Sequence, residues 1–173
     1  YPRATKFNYD RVSLTSKIGI KATSRKDIDQ ETSDLCVAAF NDLIRKLGEA
    51  FDPESLDLIV VVTQHPDGFG LPHTSAIVHD KLKLPTSCFA FDISLGCSGF
   101  VSALATVSGH LMVSGGQRAV ILTADPYSKS LSEDDKNTSM IFGDAATATL
   151  IERGSTWCIG AFDFGTKGEK HSA

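Results

Sequence analysis

Three short apolar segments, separated by helical patterns, are the feature that most constrains how this chain can fold. The first, LDLIVVVT, runs from Leu56 to Thr63 as a continuous apolar and β-branched stretch. Such a run is typical of a parallel strand that helices cover on both faces. The second predicted strand is SCFAFDI, from Ser87 to Ile93, and the third runs from Ala119 to Ala124. Strands that alternate with helices predict an α/β domain with a mostly parallel sheet, because right-handed crossovers place helices on both faces.

Three helices are expected around these strands. In the first, apolar residues recur at a period of 3.6 between Leu35 and Leu47, with Thr32 or Ser33 as the cap and Gly48 as the stop. The second follows Pro72 and reaches about residue 84. The third follows the sequence LGCSG, and its apolar positions are Phe100, Val101, Leu104, Val107, Leu111 and Met112.

The end of the chain has a different pattern. FGDAATATLIE and WCIGAFDF are β-like runs separated by a turn at residues 153–155, which favours an antiparallel edge strand. We therefore expect a layered α/β fold with a mixed, mostly parallel five-stranded sheet and a buried helix after LGCSG. Residues 1–30, with the short KIGIKA run, are expected to form an N-terminal arm or partial strand, residues 31–165 the domain, and residues 166–173 a tail.

Composition and charge argue against several classes of function. A net charge of −4 disfavours an electrostatic nucleic-acid binder, which needs a basic face. The longest stretch without Asp, Glu, Lys or Arg, from Ile93 to Gln117, contains five glycines and His110, so we interpret it as a strand end and a helix rather than a membrane span. The four cysteines form no CxxC pair, and YPRATKFNYD lacks the apolar core of a signal peptide. We expect a cytoplasmic location, no metal site and no disulfide framework, in a chain that begins within a longer protein.

The segment FDISLGCSGF places Cys97 between Gly96 and Gly99 at a predicted strand-to-helix junction. Free N–H groups and the positive end of the helix dipole favour a thiolate at the first turn of a helix. The missing side chains of Gly96 and Gly99 would let a substrate approach the sulphur. The pattern predicts a nucleophile, with a small buried core residue as the alternative. Core filling is the better interpretation of the other three cysteines, which are Cys36, Cys88 and Cys158.

Four segments of the sequence resemble one family, in the order in which that family has them. DISLGCSGFVSAL resembles the nucleophile segment of the β-ketoacyl-acyl-carrier-protein synthase III condensing enzymes, in the thiolase-like superfamily. DLIVVVTQHPDGFGLPHTSAIVHDKL resembles the family's first central strand and the helix after it, SMIFGDAATATLIE its FGDGAGA segment, and KIGIKATSR its TGIRER element. Together the segments cover about residues 13–165.

The resemblance implies an acyltransferase that performs a decarboxylating Claisen condensation and needs no cofactor. An acyl group would move from a coenzyme A thioester to Cys97, and malonyl carrier protein would then supply the attacking carbanion. The implied partners are acyl-coenzyme A, acyl carrier protein and a second copy of the chain, paired along the strand from Cys88 to Ile93. The His and Asn that stabilise the carbanion in this family belong to the second half of the fold. No segment here matches theirs, and the tail at residues 166–173 is expected to lead to that half.

The same resemblance gives roles to further residues. Lys17 and Lys21 fall in the substrate-binding element near the N-terminus, and Ser13 stands where the family commonly has a tryptophan. Leu71 falls where the family often has an aromatic residue that reaches the partner's acyl pocket, and a leucine there leaves room for a longer or branched primer. Asp144 matches a structural position near the site. Surface or packing roles are the better interpretation of the five histidines, which are His65, His73, His79, His110 and His171.

Two alternatives remain open. A non-catalytic partner or a truncated paralogue would keep the fold without the complete set of catalytic groups. Acyl transfer to an alcohol or amine, or a condensation like that of 3-hydroxy-3-methylglutaryl-coenzyme A synthase, would use the same fold with another acceptor. The sequence names neither the primer nor the acceptor.

Overall fold

The computed structural model describes residues 6–8, 10, 12, 15–16, 19–132, 134–154 and 158–170. Three helices and four strands have their full length within these residues. Short 3₁₀ turns occur at Gly48–Ala50, Pro53–Ser55, Tyr127–Lys129 and Gly168–Lys170. In chain order the helices and strands are α1 (Thr32–Leu47), β1 (Leu58–Val62), α2 (Thr74–Leu82), β2 (Phe89–Ile93), α3 (Gly99–Ser114), β3 (Arg118–Pro126) and β4 (Asp144–Glu152).

The four strands form one sheet in the order β2-β1-β3-β4. Strand β1 is parallel to both β2 and β3, and β4 is antiparallel to β3. The prediction of a mixed, mostly parallel sheet is therefore confirmed, with four strands among the described residues in place of five. Of the WCIGAFDF run, residues 158–164 form no strand, and Trp157 lies outside the described residues. Among the described residues no strand pairs with this run, and its Phe164 is 60% exposed. The run therefore lacks both the partner strand and the apolar cover that a strand needs.

Helices cover both faces of the sheet, as the apolar strand sequences predict. All five residues of β1 are buried. On one face, side chains such as Ile59, Val61 and Val120 pack with Phe40 of α1 and Val78 of α2. On the other face, the alternate residues of β1 and β3 pack against α3, whose buried side chains include Ala103, Val107 and Leu111.

Helix α3 is buried along one side only. Its residues Val101, Met112 and Val113 are 47%, 72% and 87% exposed. Helix α3 therefore combines a core-facing stripe with an apolar outer face. Among the described residues, no helix has the length and the apolar composition that a membrane crossing requires.

The start of α1 differs from the predicted cap. Thr32 and Ser33 lie inside the helix and are buried, while Glu31 precedes it and donates its N–H to the Asp34 carboxylate at 2.8 Å. The Thr32 hydroxyl donates to the carbonyl of His65 instead, and both the N–H and the hydroxyl of Ser33 donate to Asp67. These two side chains therefore hold the loop that follows β1 rather than the helix end. The predicted stop at Gly48 is present, with φ of +73°.

Candidate active site

The candidate site lies where the three parallel strands end. Strands β1, β2 and β3 run in the same direction, so the loops that follow them emerge at one edge of the sheet. Ligands of open α/β sheets bind outside the carboxyl ends of the strands. The loop after β1 carries His65 and Leu71, the turn after β2 carries Cys97, and the end of β3 carries Asp125.

Cys97 is exposed and lies in the turn that joins β2 to α3. The turn is closed by the Gly99 N–H, which donates to the carbonyl of Gly96 at 2.8 Å. The thiol therefore lies two residues before the first residue of α3 rather than within its first turn. It stays beside the helix N-terminus, where unpaired N–H groups favour negative charge.

The two glycines that flank Cys97 are each in close contact with another part of the fold. A Cβ at Gly96 would lie 2.6 Å from Oε1 of Gln64. A Cβ at Gly99 would lie 2.4 Å from Cγ1 of Val62, in β1. Because neither glycine has a side chain, α3 and the cysteine turn can approach β1 and the residues after it closely. The use of the same space by a substrate stays a prediction.

Asp92 connects the strand before Cys97 to the helix α2. Its two carboxylate oxygens accept the N–H groups of Thr74 and Ser75, at 2.7 and 2.8 Å. These are the first two residues of α2, whose N–H groups have no acceptor within the helix. Asp92 is not among the predicted site residues, although a carboxylate within the apolar run SCFAFDI indicates a hydrogen-bonding partner from another part of the chain.

Asp125, at the end of β3, is a second residue that the sequence analysis missed. Its Oδ1 accepts hydrogen bonds from the Thr63 hydroxyl at 3.1 Å and from the Gln64 N–H at 2.8 Å, and it lies 3.0 Å from Nδ1 of His65. Three consecutive residues after β1 are therefore held by one carboxylate of the neighbouring strand.

The structure gives packing roles to three of the predicted non-catalytic histidines. Both ring nitrogens of His65 have partners, since Nε2 lies 2.8 Å from the Ser130 hydroxyl. His65 therefore has no ring nitrogen left for Cys97. His79 bonds the carbonyl of Pro85 and His110 stacks on Phe89, while His73 precedes α2 and His171 lies outside the described residues.

Asp144, the first residue of β4, is buried, and its carboxylate accepts three hydrogen bonds. The N–H and hydroxyl of Ser128 donate to it at 2.8 and 2.6 Å, and the N–H of Lys26 donates at 2.8 Å. Burial raises the pKa of Asp144, but these hydrogen bonds outweigh it, so the pKa lies below its usual value. Gly143 allows the backbone of Ser24 to approach, since a Cβ there would lie 3.1 Å from the Ser24 nitrogen. Asp144 thus joins the β3–β4 connection to the N-terminal segment, and its structural role near the active site stays a prediction.

The other residues with expected substrate roles lie at the surface or outside the described part. Lys17 lies outside the described residues, and so does Ser13. Lys21 is exposed, a few residues before Arg25, whose guanidinium donates to the carbonyls of Ser139 and Phe142 at 2.9 and 2.8 Å. Leu71 is 90% exposed on the loop after β1. Within the described ranges, no group of three or more His, Cys, Asp or Glu residues could hold a metal ion.

Comparison with known proteins identifies the family. Residues 91–168, which include Cys97 and Asp144, match the model of the family described as 3-Oxoacyl-[acyl-carrier-protein (ACP)] synthase III. The crystal structure of a 3-oxoacyl-(acyl-carrier-protein) synthase III matches with a TM-score of 0.86 and 32% identity, over 96% of this chain and 49% of that one.

Two further crystal structures agree. A 3-oxoacyl-(acyl-carrier protein) synthase from Burkholderia xenovorans LB400 matches with a TM-score of 0.77 and 32% identity, over 87% of this chain and 42% of that one. The 3-oxoacyl-(acyl carrier protein) synthase III FabH from Pseudomonas aeruginosa PAO1 matches with a TM-score of 0.83 and 26% identity, over 98% of this chain and 52% of that one.

The fold is therefore that of the thiolase-like condensing enzymes. Within that class, this chain belongs to the 3-oxoacyl-[acyl-carrier-protein] synthase III family, which confirms the resemblance seen in its sequence. The chain spans about half the length of the solved structures that it matches.

Proposed function

We propose that this chain provides the nucleophile of an acyltransferase of the 3-oxoacyl-[acyl-carrier-protein] synthase III type, and that the nucleophile is Cys97. One observation carries the proposal: an exposed thiol lies between β2 and α3, at the carboxyl edge of the sheet, within the residues that match the family model. Burial raises the pKa of the Cys36 thiol to about 12 and that of Cys88 to about 11. Neither of these buried thiols is accessible to a thioester. Cys158 is exposed, but it lies in the irregular segment after β4 rather than in a turn between a strand and a helix.

In the first half of the reaction, the Cys97 thiolate attacks the carbonyl carbon of an acyl thioester. The tetrahedral oxyanion then collapses and the bond from that carbon to the sulphur of the donor breaks. The donor leaves as a thiolate, which takes up a proton from the solvent, while the acyl group stays on Sγ. The N–H of Cys97 is one donor for the oxyanion, and within the described ranges no acceptor engages it. Lys17 and Lys21 are the chain's proposed contacts with the donor, and Gly96 and Gly99 add no side chain of their own beside the sulphur.

In the second half, malonyl carrier protein loses carbon dioxide. The electron pair of the broken carbon–carbon bond forms a carbanion, which attacks the acyl carbon on Cys97. The carbon–sulphur bond then breaks, and the products are the 3-oxoacyl carrier protein and the free thiolate. Neither half needs a redox cofactor or a metal ion, and we expect the reaction to run in the cytoplasm.

We further propose that the active form is a homodimer that forms along β2. This strand is at the edge of the sheet, so one row of its backbone N–H and carbonyl groups faces away from β1. Phe89, its first residue, is 52% exposed. A second copy paired along this edge would cover both features. In that dimer, Leu71 on its exposed loop would reach the partner's acyl pocket.

Acylation of the full-length protein tests the proposal. We expect mass spectrometry to find one added acyl group on the peptide with Cys97, after incubation with short acyl-coenzyme A or acyl carrier protein thioesters. Cys97→Ala should remove the added mass, whereas Cys158→Ala, a matched change at the other exposed thiol, should keep it. If no donor acylates Cys97, the assignment of the nucleophile is wrong. Release of carbon dioxide from malonyl carrier protein identifies the condensation, and acylation without that release would indicate another acceptor.

A further inference from the structure

The side-chain amide of Gln64 lies against the turn that carries Cys97. A Cβ added to Gly96 would be 2.6 Å from Oε1 and 3.2 Å from Cδ of Gln64. Real Cβ atoms essentially never approach another atom to 2.6 Å, so the amide occupies the space that a side chain at Gly96 would need. Gln64 is thus a polar neighbour of the residue next to the nucleophile.

The backbone of Gln64 is held in this place by the neighbouring strand. The Gln64 N–H donates to Oδ1 of Asp125 at 2.8 Å. The residues on either side of Gln64 use the same oxygen, through the Thr63 hydroxyl at 3.1 Å and Nδ1 of His65 at 3.0 Å. Because three consecutive residues share this anchor, the position of Gln64 relative to the sheet is fixed, and Asp125 is its positioning residue.

The amide itself has capacity for hydrogen bonds to a ligand. A glutamine amide offers two N–H donors and a carbonyl acceptor. Gln64 is exposed, and in the part of the chain that the structure describes no protein group bonds its side chain. In water these groups are solvated. An acyl group on Cys97 that covers the Gln64 amide displaces the water bound to it. Unless the acyl group offers hydrogen bonds in place of that water, the N–H and carbonyl groups of the amide stay unsatisfied.

We propose that Gln64 determines acyl specificity, and that it favours acyl groups with an oxygen beyond the thioester carbonyl over alkyl groups of the same length. A hydroxyl or keto oxygen on the acyl chain replaces the water on the Gln64 amide, whereas a methylene group leaves it unsatisfied. This inference rests on the proposed function of Cys97, because only an acyl group on that sulphur is held beside Gly96.

A pair of donors of equal chain length tests the inference in the full-length protein. The initial rate at which Cys97 is acylated is measured with 3-hydroxybutyryl and with butyryl thioesters of coenzyme A and of acyl carrier protein. Gln64→Leu should lower the ratio of the first rate to the second by roughly tenfold, since it removes the polar partner. Gln64→Asn, which keeps a shorter amide, should lower it less.

Gln117→Leu is the matched control. Gln117 directly precedes β3, at the amino ends of the parallel strands, so this substitution should leave the ratio unchanged. If Gln64→Leu keeps the wild-type ratio within twofold while circular dichroism shows the same fold, the inference is wrong even though Cys97 is acylated. If the wild-type protein is acylated by no donor on Cys97, the proposed function itself fails, and this outcome is distinct from an unchanged ratio.

Discussion

Replacement of Gly99 by alanine should destabilise the protein, although alanine is the better helix former. The new Cβ would lie 2.4 Å from Cγ1 of Val62 and 3.2 Å from Cβ of Leu95. Val62 is 3% exposed in β1, and a β-branched side chain has few rotamers into which it could turn away. The clash therefore has to be relieved by movement of α3 or of the turn that carries Cys97.

Two opposing free energies decide the size of the effect. The helix propensity of alanine exceeds that of glycine by about 1 kcal/mol in a helix interior, and by less at Gly99, which is the first residue of α3. Extra methyl groups in a well-packed core cost about 1–3 kcal/mol. The packing cost is larger, and we expect Gly99→Ala to lower the free energy of unfolding by about 1–2 kcal/mol. For a domain of this size the melting temperature should fall by about 2–8 °C.

Urea unfolding followed by circular dichroism measures this difference. Gly109→Ala is the matched control in the same helix, because a Cβ there meets nothing within 4 Å. This control should be as stable as the wild type or more stable, by up to about 1 kcal/mol. The double variant Val62→Ala with Gly99→Ala removes the clashing methyl group, so the two changes should cost less together than their sum. If Gly99→Ala is as stable as Gly109→Ala, or if the two changes are additive, the contact with Val62 does not govern this position.

Three further predictions concern Asp144, the cysteines and the edge strand. The hydrogen bonds that keep the pKa of Asp144 below 3.8 despite burial stabilise the native state above that pH, so Asp144→Asn should cost about 1–3 kcal/mol at pH 7. The difference from wild type in urea curves should shrink as the pH falls through the lowered pKa, and a constant difference would contradict it. Iodoacetamide at pH 8 should label Cys158 in the native state but reach Cys36 and Cys88 only after unfolding, as peptide mass spectrometry can show. Phe89→Asp should make the full-length protein monomeric in sedimentation experiments, and an unchanged dimer would show that β2 is not the interface.

The strands could be predicted from the sequence because their apolar runs report burial. The run from Leu56 to Thr63 predicted β1, which pairs only over Leu58–Val62. Leu56 and Thr63 are nevertheless 2% and 3% exposed, so the run is longer than the strand because burial extends beyond the hydrogen-bonded ladder. The same reasoning fails for WCIGAFDF, where an apolar composition has no neighbouring strand to pair with among the described residues.

Cys97 could be predicted as a candidate because the signal is local: a thiol between glycines, after an apolar strand and before a helix. The N-terminal cap of α1 was misplaced because the signal there is not local. Thr32 and Ser33 have the residue types of a helix cap, yet their hydroxyl groups bond His65 and Asp67, which lie more than thirty residues away. The sequence shows that a hydroxyl group lies near the start of the helix, but it does not show which group that hydroxyl bonds.

The contacts around the candidate nucleophile follow from the register of the sheet, which the sequence alone does not contain. Val62 pairs with Ile93 on one side and with Thr123 on the other. Gln64, Leu95 and Asp125 each lie two residues after one of these paired positions. Because parallel strands advance equally per residue, the three residues lie side by side at the carboxyl ends of the strands. This explains why the Gln64 N–H meets Asp125 and why its amide meets the residue after Leu95. Once one residue pair between β1 and each neighbouring strand is known, the neighbours of Cys97 can be derived from the sequence. Without those pairs, nothing in the sequence indicates that residues some sixty positions apart share a site.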